Sequence, residues 1–346
     1  MCDTHASTER CCVVIPFKNR RTELLRCVSS LFQQLSENTR LVLVDDGSDI
    51  RIDDDDKFKR FFDGGLVQIL RHPSNCGVAA SRNTGIKWCR EQGFDIVIMT
   101  DSDCIVPANF IQLHMDLQRK YTDVPVIGSS GRGFGSTSFW GHLDYIMSWF
   151  HIIPGTPERE VLAPYSVATA NISIKVQMLP FEGDFFETHL HTGEDTAFIN
   201  KVRDLGFKVI FSPEPEILHE DRGSFSKFLE HQCEFSQHHY FVYHLKFGLE
   251  KLCRNGLYRM FFIPTFFVVL PFYALMGCYF NMSPWVRHKP KMFAYIFPVF
   301  GIWLLKVFGI WLLKGYAVLH AAWDPARATR PEGPSPPPHV VNMSDF

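Results

Sequence analysis

Phe94-Asp95-Ile96-Val97-Ile98-Met99-Thr100-Asp101-Ser102-Asp103 joins a nearly unbroken apolar run to two carboxylates. A short apolar run rich in β-branched residues reads as a strand buried on both faces, and such strands belong to parallel sheets covered by helices. The carboxylates then sit at the strand's carboxyl end, the edge on which these sheets bind ligands. Residues i and i+2 of an extended segment point the same way, roughly 7 Å apart along the chain. Asp101 and Asp103 can therefore face one crevice and share a hard divalent cation through oxygen. Alone, an Asp-x-Asp is more often a solvated turn than a site, so its weight depends on what surrounds it.

Upstream, the same pattern repeats. Cys12-Val13-Val14-Ile15, Leu41-Val42-Leu43-Val44 and Leu66-Val67-Gln68-Ile69-Leu70 read as strands, and helices are expected from about Arg21 to Leu35 and from Val78 to Arg90. Downstream come a glycine-rich strand and turn from Val126 to Gly135 and a helix between Gly193 and Gly206. Two short strands follow, Phe207 to Phe211 and Glu216 to His219. Alternating strands and helices predict an α/β fold with a mostly parallel central sheet.

Composition narrows the function. The 346 residues carry a net charge of -2, and the basic patch that marks a nucleic-acid partner is missing. Ten cysteines are scattered with no Cys-x-x-Cys pair, as expected for free thiols in a reducing compartment. The N-terminus is polar and lacks the apolar stretch of a secretory signal, so the first domain is expected in the cytosol. Much of the excess of phenylalanine, 32 residues, lies after Phe225.

Two apolar segments occupy that region. Leu257 to Phe280 is long enough to span a hydrocarbon core. Met292 to Ala322 holds Lys306 and Lys314 in a tandem repeat of Phe-Gly-Ile-Trp-Leu-Leu-Lys, which suits an interfacial helix with snorkelling lysines as well as a span. The expected organisation is a polar tail (1–10), an α/β domain (11–223, divided near 135 into two parts), and an amphipathic connector (224–250). Membrane-associated helices (251–323) and a disordered proline-rich tail (324–346) complete it.

Chemistry-bearing residues cluster at strand ends. Val44-Asp45-Asp46-Gly47-Ser48-Asp49 closes the second strand in a turn, where a carboxylate can accept hydrogen bonds from a base or ribose. Asn75 to Gly85 opens a helix with small residues that admit close backbone approach, and Arg82 within it can pair with a phosphate. Gly193-Glu194-Asp195 starts another helix with an acidic first turn, favoured there by the helix dipole.

In chain order, five motifs stand out: Val14-Ile15-Pro16-Phe17-Lys18-Asn19, Val-Asp-Asp-Gly-Ser-Asp, Asn-x-Gly-x-x-x-x-Arg-Asn-x-Gly, Asp101-x-Asp103 and Gly193-Glu194-Asp195. Together, over about Cys11 to Glu220, they resemble a family 2 glycosyltransferase of the GT-A fold. The resemblance implies a hexosyltransferase-type enzyme that inverts the anomeric carbon of a nucleotide-diphosphate sugar, of UDP or GDP type, with a divalent cation (Mn2+ or Mg2+). It implies Pro16, Asn19, Asp45, Asp46, Arg82 and Asp101 as donor-binding residues and Asp103 as metal ligand. Asp195 would be the general base, supported by Glu194. His219 resembles a histidine that some GT-A enzymes aim at metal or diphosphate. Processive members carry Gln-x-x-Arg-Trp after the base, and the corresponding Phe228 to Gln237 has no Arg-Trp, so a distributive enzyme is expected. From the hydrophobic segment alone, its acceptor would be a membrane lipid or membrane-presented group, reached from the cytosolic side.

Two other classes compete. A catalytically silent sugar-nucleotide-binding scaffold would have no chemical reason to keep Asp103, Asp195 and Arg82 together. A sugar nucleotidyltransferase would be expected to show a glycine-rich loop after the first strand, where Pro16-Phe17-Lys18-Asn19-Arg20 has no glycine.

Overall fold

The structure, a computed structural model, describes residues 9–135, 137–162, 167–190, 193–232, 272, 274–305 and 341–342. The chain divides into two compact units, one of residues 1–132, 154–220 and 334–346, the other of 133–153 and 221–333.

The first unit is built on β1 (Cys11–Phe17), all seven residues of which are buried. Burial on both faces is what an unbroken apolar strand requires. β2 (Thr39–Asp45) and β4 (Ile96–Thr100) flank it in parallel, with Val13 opposite Leu41 and Ile98, and β3 (Val67–Arg71) continues the parallel set beyond β2. Between them run α1 (Arg21–Leu31), α2 (Asp56–Phe62) and α3 (Val78–Glu91). α1 is shorter than its sequence pattern predicts, because Phe32–Gln34 tightens into a 3-10 turn. Gly85 lets α3 lie close on β1: a Cβ there would come within 2.3 Å of Val14 Cγ1.

Beyond β4 the sheet is mixed. β8 (Asn171–Lys175) pairs antiparallel with β4 and with β6 (Val126–Phe134), and β5 (Cys104–Ile105) and β7 (Arg159–Glu160) each pair antiparallel with β9 (Val209–Glu220). The two short strands expected after Gly206 are one: β9 runs through Pro213 and Pro215, whose carbonyls accept from Ser130 Oγ at 2.5 Å and Asn171 Nδ2 at 2.8 Å. Asn171 also donates to the Ser130 carbonyl at 2.7 Å, so its Oδ1 is the acceptor for His114 Nε2, at 2.9 Å, from α4 (Phe110–Lys120). Burial depresses the His114 imidazole to a pKa of about 4 and keeps it neutral.

The second unit contains α5 (Phe139–Ser148), capped by Ser138 Oγ, which accepts from Gly141 N at 3.0 Å. Helix 274–288 packs Trp285 against Tyr145 and donates its indole N–H to the Ile146 carbonyl at 2.8 Å. Asp144 is buried and gathers His231 at 2.8 Å and Arg222 at 3.3 Å. The expected membrane spans are not seen as such: no helix among the described residues is long and apolar enough to cross a membrane. Their described parts are helix 274–288 and helix 296–305, separated by a 3-10 turn at Pro290–Tyr295, while 257–271 and 306–322 lie outside the described residues.

Candidate active site

The carboxyl ends of β1, β2, β3 and β4 gather the residues singled out above, all within the first unit. Pro16 is buried inside β1 opposite Val44. Asn19 follows in the left-handed region at φ 64°, a conformation Asn tolerates better than most residues. It is clasped to the acidic turn: its N–H donates to Ser48 Oγ at 2.9 Å, its Nδ2 to Asp49 Oδ2 at 3.0 Å, and its Oδ1 accepts from Asp49 N at 2.9 Å. Gly47 in that turn has φ 69° and sits so close to Ser74 that a Cβ would lie 2.6 Å from the Ser74 carbonyl carbon.

Asp45 and Asp46 split their tasks. Asp45 is buried, accepts from Ser48 N at 2.8 Å and pairs with Arg71 Nη1 at 2.5 Å. Asp46 turns toward the loop before α3, accepting from Cys76 N at 2.8 Å and Gly77 N at 2.9 Å and contacting His72 Nδ1 at 2.9 Å. Burial pushes its carboxyl upward, but the His72 and amide hydrogen bonds outweigh burial and hold it below the usual carboxylate range. In this arrangement Asp46 shapes the loop, and Arg71 and His72 are its unforeseen partners at the end of β3.

Arg82, expected at a phosphate, is enclosed between two carboxylates. Its Nη2 meets Asp101 Oδ1 at 2.9 Å and its Nη1 meets Glu194 Oε1 at 2.5 Å. Burial works against its charge, yet Asp101, Glu194 and Asp195 together keep the guanidinium above its ordinary pKa. Beside it Asn83 Oδ1 accepts from Phe185 N at 3.0 Å and Phe186 N at 2.9 Å, and its Nδ2 donates to the Phe186 carbonyl at 2.8 Å. The Arg82-Asn83 pair thus ties α3 to the segment that leads into α6 (Glu194–Asp204).

Asp195 is the second residue of α6, after Gly193 in the left-handed conformation. Its Oδ1 accepts from Thr196 N at 2.6 Å. Burial raises its carboxyl to a pKa of about 7, the Glu194 charge adds to the rise, and Arg82 opposes it. Arg82 is shared among three carboxylates and so offsets the burial of Asp195 only in part.

Asp101 and Asp103 pair with different arginines. Cys104 N bonds the Asp101 carbonyl at 3.1 Å, so the chain turns between β4 and β5 instead of staying extended. Asp101 faces Arg82, while Asp103 faces Arg20 and His219. The pairing of Cys104 with His219 across β5 and β9 brings the imidazole there. His219 Nδ1 lies 3.1 Å from the Glu220 carbonyl, which can only accept, so Nδ1 donates there and Nε2 is left to face Asp103. That Nε2 is 3.4 Å from Asp103 Oδ1. An imidazole nitrogen and a carboxylate oxygen this close together are ligand types that suit a divalent cation. Among the described residues the ligating atoms of Asp103, Cys104 and His219 lie within 4.8 Å of one another, as do those of Asp46, His72 and Cys76. The second group is already engaged in hydrogen bonds at both His72 nitrogens. Of the histidines upstream of Glu194, His189 lies 3.7 Å from Glu187, and His191 is outside the described residues.

Residues 12–170 match the family model for Glycosyl transferase family 2. Over this segment the chain is similar to family 2 glycosyltransferases. The Pre-mycofactocin glycosyltransferase of Mycobacterium tuberculosis (strain CDC 1551 / Oshkosh) is 29% identical over 220 residues, covering 61% of this chain and 42% of that protein. Glycosyltransferase GlyG of Streptococcus pneumoniae serotype 4 (strain ATCC BAA-334 / TIGR4) is 35% identical over 119 residues, 34% of this chain and 38% of that protein. The chain thus spans less than half the length of either relative. A crystal structure of S. aureus TarS 1-349 in complex with UDP-GlcNAc aligns at TM-score 0.48 and 16% identity, over 63% of this chain and 60% of that one. The family 2 match ends before α6, so the placement of Asp195 and His219 beside the domain's aspartates is a feature of the tertiary structure.

Proposed function

We propose that the protein is a metal-dependent, inverting, distributive glycosyltransferase. It would move a sugar from a UDP- or GDP-sugar to an acceptor hydroxyl at the cytosolic face of a membrane, with Asp195 as general base. The observation that carries this reading is the Asp195 carboxyl, raised to about 7 at the same sheet edge as Asp103 and His219. A base of that pKa is half ionised at neutral pH and strong enough to accept a hydroxyl proton as the oxygen attacks. Both curated relatives bear glycosyltransferase names, which supports the class of reaction.

The chain's residues divide the work. Asp195 takes the acceptor proton at a carboxylate oxygen. Arg82, through Asp101 and Glu194, holds the base and the donor edge in fixed relation, so that neither carboxylate has to be ordered during reaction. Asp103 and His219 would hold Mn2+ or Mg2+, which when bound neutralises the charge that develops on the departing diphosphate.

The membrane surface is proposed from the second unit. Phe272, Leu275, Met276, Tyr279 and Phe280 are exposed at four- and three-residue spacings, and Phe293, Phe297 and Leu305 are exposed nearby in sequence. Arg287, Lys289 and Lys291 lie between these groups, a combination suited to an interfacial helix beside anionic headgroups.

A thermal-shift screen of nucleotide sugars with and without Mn2+ or Mg2+ tests the donor. The expected result is a rise in melting temperature with one UDP- or GDP-sugar that requires the cation. Transfer should disappear in Asp195→Asn while donor binding persists; transfer at the wild-type rate in that variant would remove Asp195 from the chemistry.

A further inference from the structure

Arg20 received no role in the site described above, yet its guanidinium lies in the place where a cation would meet Asp103. It pairs with Asp103 Oδ2, while Oδ1 of the same carboxylate faces His219. The backbone under Arg20 is pinned. Its N–H bonds the Lys18 carbonyl at 2.9 Å, its carbonyl accepts from Leu24 N at 2.9 Å, and Asn19 beside it is clasped to Ser48 and Asp49. The side chain is not pinned: it is 54% exposed, whereas the Asp103 side chain is 9% exposed. Arg20 heads α1, where a guanidinium, having no acceptor atom, cannot cap the first amides.

We infer that Arg20 is a displaceable counter-cation for Asp103. It neutralises the buried carboxylate while no metal is bound, competes with the metal for Oδ2, and on displacement becomes a cation available to a diphosphate. The reasoning is electrostatic. A carboxylate this enclosed is costly without a partner, and a flexible arginine on a rigid turn supplies one without building a permanent ion pair. Once a divalent cation takes Asp103, guanidinium and metal repel. The nearest favourable partner for the arginine is then the negatively charged ligand that enters with the metal, for which its planar fork is suited. The device would keep the metal site weak until the donor arrives, so that metal and nucleotide bind together. This inference rests on the assignment of Asp103 as a metal ligand.

The test is binding, not turnover. Free Mn2+ is measured by electron paramagnetic resonance during titration of the full chain without nucleotide, for wild type, Arg20→Ala and Asp103→Asn. Arg20→Ala should bind Mn2+ about fivefold or more tightly than wild type, the scale of one net hydrogen bond at a partly exposed site. With saturating Mn2+, the same variant should bind uridine diphosphate about fivefold more weakly. Opposite signs in the two titrations are the signature. A role in folding alone would weaken both, and that result, or unchanged Mn2+ affinity in Arg20→Ala, overturns the inference. If Asp103→Asn abolishes Mn2+ binding while Arg20→Ala matches wild type, the counter-cation idea fails and the metal assignment stands. If Asp103→Asn binds Mn2+ like wild type, both fall.

Discussion

Replacing Asp195 by asparagine should stabilise the protein as it removes transfer, and the two effects share one cause. Burial and the neighbouring Glu194 lift the carboxyl from an ordinary 3.8 to about 7. A carboxyl whose folded pKa lies above its unfolded one disfavours the folded state once the unfolded chain can ionise. The penalty is absent below pH 3.8, grows between 3.8 and 7, and is complete above 7. A shift of about three units corresponds to a ceiling of roughly 4 kcal/mol. Asparagine still accepts from Thr196 N, though without charge assistance, which subtracts about 1 kcal/mol. Arg82 keeps Asp101 and Glu194 as partners, so no cation is stranded. At pH 8 the variant should therefore be more stable by about 2 to 3 kcal/mol, and at pH 4 by almost nothing. Urea denaturation followed by tryptophan fluorescence at both pH values measures the difference. A variant that is less stable at pH 8, or equally stabilised at both, would refute the claim that Asp195 is strained by desolvation and by its acidic neighbour. Over the same range, wild-type transfer should rise with pH through about 7 as the base ionises.

Two further predictions concern the scaffold. Asn83→Ala leaves the Phe185 and Phe186 amides and the Phe186 carbonyl without their buried partner, and should cost about 2 to 4 kcal/mol in denaturant titrations. A loss under 0.5 kcal/mol would mean the segment before α6 is held by something else. His114, with a folded pKa of about 4 against 6.5 unfolded, stays neutral in the fold while the unfolded chain takes up a proton, so stability falls as pH drops through 6.5 toward 4. Between pH 7.5 and 5 the loss should be about 2 kcal/mol, absent in His114→Gln, which retains a donor for Asn171; an identical slope in both proteins would remove His114 as the cause.

Some elements were legible because one physical requirement dominated their composition. The central residues of β1, β2 and β4 are buried throughout, which strongly favours apolar side chains there, and the carboxylates fall where the apolar run stops. α4 and β8 gave no such signal. Their buried positions include His114, Gln118, Asn171 and Ser173, polar groups that hydrogen-bond one another across the interface. Read singly, each interrupts the apolar period; only the assembled pairs make them core. In β9, Pro213 and Pro215 read as a break until the partners of their carbonyls are seen.

For the site, the chain alone determined the residue types and the edge of the sheet on which they stand: two aspartates after β4, two at the end of β2, an acidic pair opening α6. Tertiary structure decided their partners. Arg82 meets Glu194 across 112 positions and Arg20 meets Asp103 across 83, contacts that no local pattern encodes. Packing also set the chemistry, because a carboxylate's pKa and the direction a histidine's nitrogens face depend on burial and on the neighbouring charge and carbonyl. Those quantities exist only once distant segments have been brought into one low-dielectric place.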